Sequence, residues 1–155
     1  MGVRLLGPEL MHLTLCFLGS RPTEEIEPLC TALEGCGAPP VQLSVGAPLW
    51  LPARRPRALA VAVGDPQGAL GGVRELLEQA LASAGSWEPE RRRFRPHVTV
   101  ARLRAGFTTG GGATLTPTPG LCFQGDSVSL YRSWLAPSGA SYEALATLPL
   151  QGFAA

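Results

Sequence analysis

The chain contains no lysine: all 13 of its cationic side chains are arginine. It has only two histidines, and aromatic residues make up 6% of its 155 positions. Charged residues are also scarce, at 16% against 45% hydrophobic, which leaves material for a buried core and argues against wholesale disorder. The net charge of +1 supplies no global field that would draw the protein onto nucleic acid. Cys16, Cys30, Cys36 and Cys122 form no Cys-x-x-Cys pair, so zinc and thioredoxin-type chemistry are poorly supported. No apolar run reaches membrane-spanning length, and no charged-then-apolar signal opens the chain. A cytoplasmic protein with reduced thiols and no membrane partner is expected.

What is present is turn-rich and apolar. The 15 prolines and 19 glycines are scattered between hydrophobic runs, which implies many turns within a single domain spanning residues 1–155. The arginines gather in two clusters. One is Arg54, Arg55 and Arg57; the other is Arg91, Arg92, Arg93 and Arg95, which leads straight into His97. The planar guanidinium fork suits phosphate geometry.

Residues 11–18 (MHLTLCFL) read as a buried strand ending at Gly19. Thr23 and the acids after it open a first helix that ends near Gly35, with Pro28 either weakening it or marking its true start. Strands are expected over 41–47 and 57–63, with a Pro- and Arg-rich connection between them. The clearest helix runs over 66–84, with Leu70, Val73, Leu76, Leu77, Ala80 and Leu81 on one stripe. A strand over 96–103, a long Gly/Thr/Pro loop over 105–120 and a terminal hairpin (128–135 with 142–150) complete the chain. The order β-α-β-β-α-β-β-β favours an α+β fold with antiparallel sheet.

Both histidines occupy the same local pattern: His12-Leu13-Thr14-Leu15 and His97-Val98-Thr99-Val100. Side chains alternate along a strand, so His and Thr project to one face and the aliphatic residues to the other. A lone histidine in an apolar strand is more often a satisfied core residue, but two such patterns in a chain with two histidines point to chemistry. Opening a cyclic phosphodiester needs water deprotonated on one side of phosphorus and the leaving oxygen protonated on the other. Histidine can fill either role near neutral pH. Thr hydroxyls and an arginine such as Arg102 can hold the non-bridging oxygens. Two histidines 85 positions apart, with no carboxylate or thiolate cluster, make a poor metal site, and no cofactor is expected.

Paired H-x-T-x motifs resemble the two-histidine (2H) phosphoesterase superfamily, and more closely the RNA 2′,3′-cyclic phosphodiesterases historically called 2′-5′ RNA ligases. The resemblance is carried by HLTLCFLG from His12, by RPHVTVAR from Arg95, and by a C-terminal stretch containing LYRS, a later Tyr and a Pro-Leu pair. It spans about residues 8–150. The resemblance implies a bilobal α+β fold: two antiparallel-sheet-plus-helix halves around a central cleft, with one motif in each. It implies His12 as general acid, His97 as general base, Thr14, Thr99 and Arg102 on the phosphate, and Phe17 stacking on a nucleobase. The residues alone do not order the two histidines, and simple strand alternation would put Phe17 opposite His12.

The implied partners are RNA 3′ ends, tRNA fragments among them, or cyclic nucleotides. The expected assembly is a monomer or weak dimer. Other readings keep the site but change its use: ADP-ribose cyclic phosphate as substrate, 2′-5′ ligation, or a truncated domain that binds RNA ends without turnover. Relatives have a strand and a helix ahead of the first motif, whereas His12 follows only eleven residues. The first half is therefore expected to lack that strand and helix, leaving a bare sheet edge that lowers stability or favours dimers.

Overall fold

The structure is a computed structural model that describes residues 2–85, 87–107, 114–137 and 139–151. Its elements are β1 (Val3–Leu5), α1 (Ile26–Glu34), β2 (Val41–Leu51), β3 (Ala58–Gly64), α2 (Ala69–Ser83), β4 (His97–Leu103), β5 (Cys122–Gly125), β6 (Ser127–Ala136) and β7 (Gly139–Pro149). The α+β class with antiparallel sheet is as the sequence indicated. Part of the expected 105–120 loop (108–113) and Ser138 of the terminal turn lie outside the described residues.

The chain forms two compact units. The first (Met1–Thr14, Leu43–Gly64, Phe94–Phe123) is built on a five-stranded sheet of order β1-β4-β3-β2-β5. β1 pairs antiparallel with the end of β4, Val3 opposite Leu103 and Leu5 opposite Ala101. The edge expected to be bare therefore carries a strand, and a 3₁₀ turn (Pro8–Leu10) follows it before the first motif. β1 also explains why residues 11–18 do not form the expected strand. β4 is seven residues long; β1 takes 101–103, and Leu6 N–H donates to the Val100 carbonyl. Only the start of β4 is left on that side, and the motif segment uses it for a single antiparallel bridge, Leu13 to Val98. β5 was not anticipated because it is a short edge strand with no buried face to impose alternation.

The second unit (Leu15–Gln42, Asp65–Arg93, Gln124–Ala155) holds both α-helices and the β6–β7 hairpin. A 3₁₀ turn (Thr23–Glu25) leads into α1, and Pro28 sits in its first turn, where a missing N–H costs nothing. α2 begins at Ala69 rather than at Pro66, because Gly68 is left-handed (φ 71°) and ends a turn in which its N–H bonds Asp65 O. Asp65 Oδ2 then accepts from Gly71 N–H in the first helical turn. Leu70, Val73, Leu77 and Leu81 form the buried stripe, while Leu76 is exposed. Leu29, Leu81 and Trp87 build a core cluster joined by Cys16, Leu18 and Leu130. Among the described residues no helix is long and apolar enough to cross a membrane.

Candidate active site

Both histidines and both threonines of the motifs belong to the sheet unit. The Leu13–Val98 bridge fixes how they meet. With those two residues paired, antiparallel register sets His12 opposite Thr99 and Thr14 opposite His97. Each histidine thus has the other motif's threonine as its cross-strand neighbour. Directly opposed residues share a face of the sheet, so all four side chains lie on the face away from Leu13 and Val98. The exposure of the first motif alternates accordingly: His12 and Thr14 are exposed, Leu13 and Leu15 half-buried.

Arg102 joins them through an irregularity. Three residues separate it from Thr99, and in a regular strand that spacing would turn it to the opposite face. The β3–β4 register steps from Leu59–Ala101 to Ala60–Thr99, which leaves Val100 as an extra residue in β4. This bulge resets the alternation. His97, Thr99 and Arg102 are opposite Ala62, Ala60 and Ala58 respectively, alternate residues on one face of β3. Those three partners contribute only methyl groups, and two of them, Ala58 and Ala60, are buried. Arg4, opposite Arg102 on β1, comes to the same face. Sequence reading missed Arg4, since nothing local to it predicts its register.

The two imidazoles are held in the same way. His12 Nδ1–H donates to the carbonyl of Leu10 at 3.0 Å, and His97 Nδ1–H donates to the carbonyl of Arg95 at 2.7 Å. A carbonyl can only accept, so each bond places a proton on Nδ1 and leaves Nε2 as the nitrogen able to take up a proton. The arrangement can therefore offer two Nε2 atoms, two hydroxyls and a guanidinium on one sheet face.

Phe17 belongs to the second unit. It is exposed, and its carbonyl accepts a hydrogen bond from Trp87 Nε1 at 3.1 Å. The alternation argument that set it opposite His12 does not apply, because no strand forms beyond the bridge. Cys16 turns into that unit's core. Burial, reinforced by Glu78, raises its thiol from the ordinary 9.0 to about 11, so it is protonated at neutral pH. All four cysteines are free thiols, and among the described residues no three His, Cys, Asp or Glu side chains gather as a metal site.

No protein-family model matches the chain. A curated RNA 2′,3′-cyclic phosphodiesterase of Thermus thermophilus is 30% identical over 176 residues, an alignment that covers 97% of this chain and 77% of that protein. A T. thermophilus protein of known crystal structure matches with a TM-score of 0.82 at 25% identity, over 99% of this chain and 85% of that one. Apo LigT of E. coli matches with a TM-score of 0.74 at 26% identity, over 97% and 82% of the two chains. By its kinship with the Thermus enzyme, the chain belongs to the RNA 2′,3′-cyclic phosphodiesterase family of 2H phosphoesterases.

Proposed function

We propose that this protein hydrolyses 2′,3′-cyclic phosphates of RNA ends and nucleotides to 2′-phosphates, without a metal, using His12 and His97 as acid and base. The observation that carries the reading is the Leu13–Val98 bridge, whose antiparallel register sets His12 opposite Thr99 and Thr14 opposite His97, with both rings anchored through Nδ1. The relative from T. thermophilus bears the name of this activity.

In the proposed reaction, His97 starts neutral and its Nε2 takes a proton from water as the water oxygen bonds to phosphorus. The P–O3′ bond breaks, and His12, starting as imidazolium, gives its Nε2 proton to the departing 3′ oxygen. The product keeps its phosphate on the 2′ oxygen, and the two rings exchange protons with solvent to reset. Thr14, Thr99 and Arg102 bind the non-bridging oxygens, where negative charge grows in the transition state. A nucleobase stacked on Phe17 completes the reading. Run backwards, the same site would exchange the two histidine roles.

The test is to incubate the protein, with chelator, with 2′,3′-cyclic AMP and with a short RNA ending in a 2′,3′-cyclic phosphate, and to separate the 2′- and 3′-phosphate products. A 2′-phosphate is expected. Loss of turnover on adding chelator, or a 3′-phosphate product, would overturn the mechanism; no turnover of either substrate would overturn the activity.

A further inference from the structure

The net charge of +1 is the remainder of two larger and opposite charges. The sheet unit holds seven arginines and one acid, Glu9, which makes it +6. The other six arginines share the second unit with eleven acids, which makes that unit −5. The near-neutral composition therefore conceals a strongly basic unit, and that unit carries both histidine motifs.

Six of its seven arginines gather at one end of the sheet. Arg4, Arg102, Ala58 and Leu51 lie in one row across β1, β4, β3 and β2. Arg57 N–H bonds the Leu51 carbonyl to close the β2–β3 loop, which presents Arg54 and Arg55, and Leu103 N–H bonds the Arg57 carbonyl beside it. Arg104 continues β4 past the row, its N–H on Gly2 O. All six side chains are exposed. Adjacent strands are about 4.8 Å apart, so the row spans roughly 15 Å. Like charges set opposite one another, as Arg4 and Arg102 are, destabilise a strand pair. A chain of negative charges laid along the row would offset that repulsion. Arg102 shares the face of the histidines, and Arg54 and Arg55 lie beyond it, across β3.

We propose that this arginine end of the sheet is the track for the RNA strand on the 5′ side of the cyclic phosphate, with Arg54 and Arg55 as specificity-determining residues. The inference rests on the cyclic phosphodiesterase reading and names its preferred substrate class. A cyclic mononucleotide brings one phosphate, which the histidine face occupies. An RNA end brings further phosphates that reach the loop, so a polynucleotide is favoured over a mononucleotide.

The test compares the wild-type chain with the double variant Arg54→Ala/Arg55→Ala and its counterpart Arg54→Lys/Arg55→Lys. Binding of a fluorescein-labelled single-stranded RNA ending in a 2′-phosphate is followed by anisotropy across a salt series. Hydrolysis of 2′,3′-cyclic AMP and of the cyclic-phosphate RNA is measured in parallel. Each phosphate contact on a single strand contributes about 0.7 to the salt slope, so the alanine pair should lower the slope by about 1.4 and RNA affinity on the order of tenfold at about 0.1 M salt. The RNA kcat/KM should fall similarly and cyclic AMP turnover should not change, while the lysine pair should keep most of the binding. A wild-type salt slope in the alanine pair, or an equal loss on both substrates, would overturn the track. If wild type turned over neither substrate, the phosphodiesterase reading would fail, and the binding series would still decide the track.

Discussion

At the scale of single residues, the proposed roles of the two histidines rest on how each ring is held. Nδ1 is committed to a carbonyl, so in the proposed reaction only Nε2 serves the substrate. His12→Ala and His97→Ala should each lower turnover of 2′,3′-cyclic AMP on the order of 10²–10⁴-fold while leaving the circular dichroism spectrum unchanged. A variant retaining wild-type turnover would remove that histidine from the mechanism. Cys16 carries a different expectation. Its thiol ionises near 9.0 in the unfolded chain but not until about 11 in the folded one. Between those values the unfolded state binds fewer protons, so stability should fall as pH rises from about 9 to about 11. Urea midpoints measured across that range should show the decline, and Cys16→Ala should flatten it. His12, Thr14, His97 and Thr99 were legible in the sequence because the pattern that marks them is local. Arg4 was not, because its place on the face is set by a partner about a hundred residues away.

At the scale of elements, β4 decides what the site contains. Its outer edge is shared between β1 and the first motif, and its bulge at Val100 turns Arg102 to the histidine face. Helical periodicity located α2, whose buried stripe repeats every three or four residues, while Thr23 and the acids after it marked the approach to α1. The apolar run at 11–18 misled because density of hydrophobic residues reveals burial but not whether a neighbouring edge is free to pair. The bulge left no mark in composition, although the three-residue step from Thr99 to Arg102 requires one if both are to face the phosphate. Beside the site, β2 approaches β3 closely at Gly46. A Cβ there would lie 3.0 Å from the Ala62 carbonyl oxygen and 3.2 Å from its Cβ, and Ala62 is the residue opposite His97. Gly46→Ala should cost about 1–3 kcal/mol in urea unfolding and lower turnover with it. Wild-type stability and activity together would show that β2 can yield at this point.

At the scale of the whole molecule, the two units hold together by different means. In the second unit the packing centres on Trp87, 7% exposed among Leu29 and Leu81, with its indole N–H on Phe17 O. Trp87→Ala should destabilise the protein by about 3–5 kcal/mol, seen as an earlier unfolding midpoint, and a shift within the error of measurement would rule out this cluster as a centre of stability. The sheet unit instead buries small residues, with Ala60 and Ala101 both at 0% exposure. Its edge strands, β1 and β5, are only three and four residues long, which offers little length for pairing with another chain. The α+β class was readable from element order. The division of charge was not, because net charge is blind to which segments fold together.

The carbonyl anchors have a consequence for how this site tolerates change. An orienting carboxylate can be deleted by one substitution; a peptide carbonyl cannot. Leu10 and Arg95 hold the imidazoles with atoms that nineteen of the twenty amino acids would supply equally well in the same backbone shape, and even proline retains the oxygen. The side chains at these two positions are thereby released from service to the catalyst. Position 95 can carry a guanidinium, or lose it, without altering which nitrogen of His97 bears its proton. Drift at the rim of the site is thus uncoupled from drift at its centre.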